Sequence, residues 1–156
     1  MDSDETFAAT AVTTPGVRAW AALLRVHATL VPSVDRELQA TAGLPLAWYD
    51  VLLELNSAPG RRLPMSELGA RVVLSRTRVS RVVDELARAG LVERQAHATD
   101  RRSTYAALSP AGRRRFRAAA PGYLSGIAEH FARHMSPSEL RAMASALERV
   151  LDAEQR

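Results

Sequence analysis

Apolar positions recur at helical spacing along most of the chain, and one short central stretch breaks that period. Val17, Trp20, Leu24, His27, Val31, Val34 and Leu38 fall three and four residues apart, a single stripe along a long helix. Pro32 lies inside it and is expected to kink or break the helix, because it removes a donor and crowds the carbonyl four residues back. Beyond Gly43-Leu44-Pro45, the residues Trp48, Val51, Leu52 and Leu55 describe a second amphipathic helix, stopped near Ala58-Pro59-Gly60. Arg61-Arg62-Leu63-Pro64 reads as a short extended link. Ser66 can then cap a helix carrying Leu68 and Val72, and Ser75 a helix that ends at Ala89-Gly90. Two short helices joined by so tight a turn outline a helix-turn-helix.

After Gly90 the period changes from helical to alternating. Leu91-Val92-Glu93-Arg94 and Thr104-Tyr105-Ala106-Ala107-Leu108 are short strands around a polar tip from His97 to Ser103, a hairpin placed as a wing beside the helix pair. Ser109-Pro110 starts another helix, with Phe116, Tyr123, Ile127 and Phe131 along it and an expected bend at Pro121-Gly122. Ser136-Pro137-Ser138-Glu139 opens the last helix, whose seam is Leu140, Met143, Leu147, Val150 and Leu151. The fold class is therefore mainly α with a small β component (α+β). Residues 1–15 are expected to be a mobile tail. A single domain should fill 16–156, with a winged helix-turn-helix lobe over about 46–109 and helices over about 17–40 and 110–154 outside it. The stripe and the seam on those outer helices need a partner surface, supplied by a second copy of the chain or by packing within one copy.

All 21 basic residues are Arg and none is Lys. Arg offers a planar fork suited to phosphate and to the guanine edge, although a codon bias toward Arg and Ala explains the missing Lys equally well. The placement of charge is more informative than its chemistry. Between Arg61 and Arg102 ten Arg face five acids (Glu67, Asp84, Glu85, Glu93 and Asp100), whereas the rest of the chain is nearly balanced. A field concentrated in this way is the footprint of a nucleic-acid surface, though a solvated helix face accounts for any single Arg. The absence of cysteine excludes disulfides, thiolate nucleophiles and a redox-sensing thiol. The acidic start Met1-Asp2-Ser3-Asp4-Glu5 is unlike a secretory signal, and no apolar run reaches the roughly 20 residues that span a bilayer. A cytoplasmic protein with no membrane partner is expected.

On the helix over 75–89, Val79, Val82, Val83 and Leu86 share one side, opposite Thr77, Ser80, Arg81, Asp84 and Arg88. The apolar side docks. The other side, with Arg76, Thr77, Arg78, Ser80 and Arg81 near its N-terminus, carries hydroxyl and guanidinium groups that reach base edges and phosphates in a major groove. Asp84 is the odd member of that face, expected to pair with Arg81 or Arg88, or to accept from a cytosine amine. At the wing, Asp100 can orient Arg102 by a charge-assisted hydrogen bond, with Arg102 suited to a narrow minor groove and Arg101 and Arg94 to the flanking phosphates.

At these residues the chain resembles the multiple antibiotic resistance regulator (MarR) family of bacterial winged-helix transcription factors. The resemblance is carried by Leu74-Ser75-Arg76-Thr77-Arg78-Val79-Ser80-Arg81-Val82-Val83-Asp84-Glu85-Leu86, by Gly90-Leu91-Val92-Glu93-Arg94, and by Asp100-Arg101-Arg102-Ser103 leading to Leu108-Ser109-Pro110-Ala111-Gly112, in that order. It implies a homodimer whose first and last two helices interlock, each wing beside a half-site of palindromic double-stranded DNA, with Arg102 aimed at the minor groove and Asp100 holding it. It also implies a pocket for a small aromatic or anionic effector between the DNA-binding lobe and the dimer helices. Trp20, His27, Trp48 and Tyr49 are the polar-tipped aromatics nearest that junction, although each also suits the core.

His130 and His134 have the i, i+4 spacing that can hold a metal, and Glu129 or a partner chain could supply a third ligand, but none is evident; they read as surface histidines and no metal site is expected. No cofactor is expected. A Gly-rich phosphate loop, a nucleophile elbow and a His-Glu-x-x-His helix are all missing from the sequence, which argues against an enzyme. A transcriptional regulator, typically a ligand-responsive repressor, is the expected function, with a ligand-insensitive architectural DNA binder as the alternative.

Overall fold

The structure, a computed structural model, describes residues 14–72, 74–96 and 104–154. Local signals open and close its first helix, α1 (Pro15–Ala42). The Thr14 hydroxyl accepts from the Val17 N–H at 3.4 Å, Pro15 occupies the first turn where no donor is needed, and the Gly43 N–H closes onto the Gln39 carbonyl at 2.8 Å. The helix thus begins ahead of Val17, and the last two residues of the expected tail, Thr14 and Pro15, belong to its start. The rest of that tail lies outside the described residues. Of the kink or break expected at Pro32, the break does not occur. Pro32 and Ala28 are both exposed, so the carbonyl that loses its donor is solvated rather than buried.

The remaining elements are α2 (Leu46–Ser57), a 3₁₀ turn (Pro59–Arg61), β1 (Arg62–Pro64), α3 (Met65–Arg71), α4 (Arg76–Arg88), β2 (Val92–Ala96), β3 (Thr104–Leu108), α5 (Pro110–His130), a second 3₁₀ turn (Ala132–His134) and α6 (Pro137–Glu154). The stretch expected as an extended link is a strand. Arg62, Leu63 and Pro64 pair antiparallel with Ala107, Ala106 and Tyr105, and β2 pairs with the other side of β3 from Val92↔Leu108 to Ala96↔Thr104, giving the sheet order β1-β3-β2. The outer position of β1 is what admits Pro64, which has no donor for a second neighbour. Ser66 does not cap α3, which starts at Met65 with Pro64 in the cap position, two residues before Ser66.

Leu52 and Leu55 of α2, Leu68 of α3, Val79, Val83 and Leu86 of α4, Val92 of β2 and Ala106 of β3 close into one buried cluster. The helical arm leaves this lobe through α5. Its start is fixed by Ser109, which is buried, accepts from the Gly112 N–H at 3.0 Å and donates to the Gly90 carbonyl at 2.7 Å. Pro121 leaves α5 unbroken for the same reason as Pro32, since it and Arg117 both face solvent. The helix packs on the second half of α1, burying Val34 and Leu38, and Gly122 makes the close approach possible, because a Cβ there would sit 2.6 Å from Thr41 Oγ1. The last helix is opened by a reciprocal cap. The Ser136 N–H donates to Glu139 Oε2 at 2.7 Å and the Glu139 N–H to Ser136 Oγ at 3.3 Å; the Ser136 N–H and hydroxyl, both donating to the carboxylate, hold Glu139 below its usual pKa. No residue of α6 is buried.

Where the lobe meets α5, the Tyr49 ring lies 5.1 Å from Phe116 and 4.3 Å from Tyr123, centroid to centroid. Burial raises the phenol pKa of both tyrosines. It also acts on the neighbouring Asp50, where burial first and the Glu54 carboxylate second push the carboxyl from an ordinary 3.8 up to about 6. A carboxyl whose pKa is higher folded than unfolded favours the fold in acid, fully below about pH 4, and loses that contribution as the pH rises through 6. Asp50→Asn is therefore expected to raise stability at pH 7.5 by on the order of 1 kcal/mol, discounted for partial exposure, and to change little at pH 4. Urea unfolding at the two pH values measures the difference. Gly112 is the position least able to carry a side chain. A Cβ there would lie 2.0 Å from the Leu91 carbonyl oxygen, so Gly112→Ala should lower unfolding free energy by about 3 kcal/mol, seen as a large drop in urea midpoint.

Candidate nucleic-acid interface

Ser75 supplies the first constraint on the exposed helix α4. Its side chain accepts from the Arg78 N–H at 3.4 Å, as its N-cap position demands. Val79, Val82, Val83 and Leu86 are all buried, and that fixes the rotation of the helix. Arg76, Thr77, Arg78, Ser80 and Arg81 are consequently all exposed, together on the first two turns, with Asp84 and Arg88 further along. The structure thus brings together the five α4 residues singled out in the sequence. Asp100, Arg101 and Arg102 lie outside the described residues, between the strands β2 and β3 that bear them.

Two clefts flank α4. The one toward α2 has a volume of about 620 Å³ and is lined by Trp48, Thr77, Arg78, Arg81 and Glu85 among others. Trp48 Nε1 donates to Glu85 Oε2 at 3.1 Å across it, an anchor for the flank of α4 that the sequence pattern does not disclose. The other cleft, of about 420 Å³, runs between α3, α4 and the hairpin and is lined by Ser66, Arg76, Ser80, Arg94 and Thr104 among others.

Asp84 departs from the expectation. It pairs with neither Arg81 nor Arg88 but with Arg94 of β2, whose Nε donates to Asp84 Oδ1 at 2.9 Å, while Arg88 Nε donates to the Asp84 backbone carbonyl at 3.3 Å. The guanidinium of Arg94 also reaches Ser80 Oγ at 3.2 Å. Same-helix partners lose here because β2 places Arg94 directly over the Ser80-Asp84 turn. Elsewhere on the lobe Arg71 is committed to Glu67 and, at 3.8 Å, to Glu54.

The four aromatic residues considered for an effector are not gathered within one chain. Trp20 and His27 are exposed on α1, Tyr49 is buried in the stack with Phe116 and Tyr123, and Trp48 faces Glu85. The histidine pair is also split. His130 closes α5 with its Nε2 2.8 Å from Glu37 Oε2, His134 ends the following 3₁₀ turn, and Glu129 bonds Arg133. Among the described residues no group of three His, Cys, Asp or Glu side chains is placed to hold a metal, and no helix is long and apolar enough to cross a membrane.

Comparison with known proteins gives this geometry a lineage. Residues 42–103, which include α2 to β2, match the model of the MarR family. The HTH-type transcriptional repressor YetL of Bacillus subtilis is 32% identical over 88 residues, 56% of this chain, and that match spans only about half (53%) of the repressor's own length. Over nearly full length the structure superposes on two Streptomyces coelicolor MarR family regulators, each 28% identical. Sco3205, solved in complex with DNA, gives a TM-score of 0.79 over 88% of this chain and 86% of its own. AbsC gives 0.78 over 91% and 96%. The chain thus has a winged helix-turn-helix lobe with a helical arm continuing from it, and is similar to MarR family transcriptional regulators in the sequence of that lobe and in fold over nearly its full length.

Proposed function

We propose that the chain is a sequence-specific DNA-binding regulator that acts as a homodimer on a palindromic promoter site, as a repressor that responds to a small aromatic or anionic effector. The observation that carries this reading is the face of α4. Its apolar side is buried, and its outward side offers Arg76, Thr77, Arg78, Ser80 and Arg81 on the first two turns of a helix, the element a major groove admits, while Asp100, Arg101 and Arg102 follow β2 in the sequence. The DNA complex of Sco3205, a protein of the same fold at 28% identity, supports the partner, and the repressor YetL supports the sense of the regulation.

The dimer has its own support. Val17, Trp20, Leu24, Val26 and Val31 of α1, Leu124 of α5, and Val150 and Leu151 of α6 are all exposed, with Trp20 at 60% and Leu124 at 63%. Apolar side chains along the whole helical arm, outside the lobe, are a surface for a second copy. Two-fold pairing would place the recognition helices about 34 Å apart, one turn of DNA, and so require two half-sites. An effector acts on such a dimer only through unequal affinity for different spacings of those helices.

Selection of bound sequences from random duplex DNA tests the reading directly. A palindrome is expected to emerge, bound at least about 10³-fold more tightly than scrambled DNA at physiological salt. Equal binding to all sequences would favour an architectural role instead. On the selected site Arg81→Ala should weaken binding by about 1–3 kcal/mol and relax preference at one base pair, and Arg102→Ala should weaken it while leaving dimerisation intact. Titration against single-base variants and sedimentation of the free protein separate these effects.

A further inference from the structure

We propose that Arg94 is a positioning residue of the interface: it clamps the first strand of the wing to one turn of the recognition helix and withdraws the charge of Asp84 from the DNA-facing side. This rests on the DNA-binding reading above. Side chains at alternate positions of β2 share a face, so Arg94 points the same way as the buried Val92, toward α4. There its guanidinium meets one helical turn at both ends. Nε and a terminal nitrogen each lie 2.9 Å from Asp84 Oδ1, and that terminal nitrogen is 3.2 Å from Ser80 Oγ and 3.4 Å from the Ser80 carbonyl. Ser80 and Asp84 are four residues apart, the rise of a single turn, which is the span a planar guanidinium fork can bridge and an ammonium cannot.

The bond has three consequences for the exposed face. Asp84, about half exposed, would stand as a bare carboxylate on the surface offered to phosphates; paired with Arg94 it presents a neutral dipole. Ser80 Oγ is used as an acceptor, so its own proton is left to donate outward, toward a phosphate or a base acceptor. The third consequence concerns the strands. β2 is held to α4 at Arg94 and β3 pairs with β2, so the orientation of both strands to the recognition helix is determined there.

The sign of one substitution separates this role from a simple phosphate contact. Asp84→Asn removes a negative charge from the DNA side and releases an Arg; electrostatics alone would tighten binding, whereas loss of the clamp weakens it. With the full-length dimer and a duplex carrying the selected palindrome, Asp84→Asn and Arg94→Gln are each expected to lose about 3- to 10-fold in affinity, and the double variant no more than the worse single one. Backbone amides of 92–96 and 104–108 should exchange faster in the free variants, with thermal midpoints within about 2 °C of the parent, since the bond is exposed and outside the core. Arg94→Lys, which keeps the charge but not the fork, should not restore affinity. Binding by Asp84→Asn as tight as the parent's, or additive losses in the double variant, would overturn the clamp alone. A parent protein that prefers no sequence would overturn the functional reading and the clamp with it.

Discussion

The joint at Ser109 is the constraint on which the rest of the molecule depends. Within a few ångströms the recognition helix ends, the hairpin begins and closes, and the helix that leads into the arm starts. One buried hydroxyl serves two of these elements, donating to the Gly90 carbonyl after α4 and accepting from Gly112 at the start of α5. The Ser109 N–H completes the tie to the Leu91 carbonyl at 3.1 Å. Because Gly112 brings its backbone against that same carbonyl, nothing can slide between the sheet and α5 without breaking buried hydrogen bonds. The recognition helix and the arm are thus parts of one lever. The aromatic contact of Tyr49 with Phe116 and Tyr123 adds a second bearing point a little further along α5.

What the sequence made legible was local. Caps are statements about four consecutive residues, and Ser75, Ser109 and Ser136 each occupy the position that the sequence pattern assigns to them. The rotation of α4 was equally readable, since Val79, Val82, Val83 and Leu86 alone fix its buried side. Misreadings came where a rule depends on surroundings. Pro32 leaves its helix unbroken because the carbonyl it deprives of a donor, that of Ala28, lies on an exposed stretch. Arg62 to Pro64 became a strand because β3 had an open side, a fact three residues of sequence cannot carry. Asp84 offered Arg81 and Arg88 on its own helix; the winning partner, ten residues away, depended on the register of a hairpin.

The same limit applies to charge. A count of ten Arg against five acids in the middle third describes a basic region, but its members are not equivalent. Arg71 is committed to Glu67 and Glu54, Arg94 to Asp84 and Ser80, and Arg62 lies over the Tyr105 ring with 5.2 Å between guanidinium and centroid. Within α4, Arg76, Arg78 and Arg81 are left on the outward face of its first two turns, where the macrodipole adds its positive end. Three of the region's five acids are engaged as well: Glu85 by Trp48, Asp84 by Arg94, Glu67 by Arg71. Three exposed arginines therefore gather at one helix end, and this favours contact at a defined register over a smooth attraction along DNA.

That distinction matters for how the arm and the lobe work together. In α1 the stripe read from the sequence divides in two: Val34 and Leu38 are buried against α5, while Val17, Trp20, Leu24 and Val31 remain exposed. The buried half belongs to the chain's own fold and the exposed half to the proposed second copy, so one continuous helix serves both the lever and the dimer. A rigid helix shared in this way transmits rotation. Any change in how two copies cross at the exposed half is carried by α1 and α5 to the Ser109 joint, and from there to α4 and β2 together, because Arg94 ties those two elements to each other. In the proposed dimer a signal would therefore move each lobe as a unit, changing the separation of the recognition helices while leaving the geometry within each lobe unaltered.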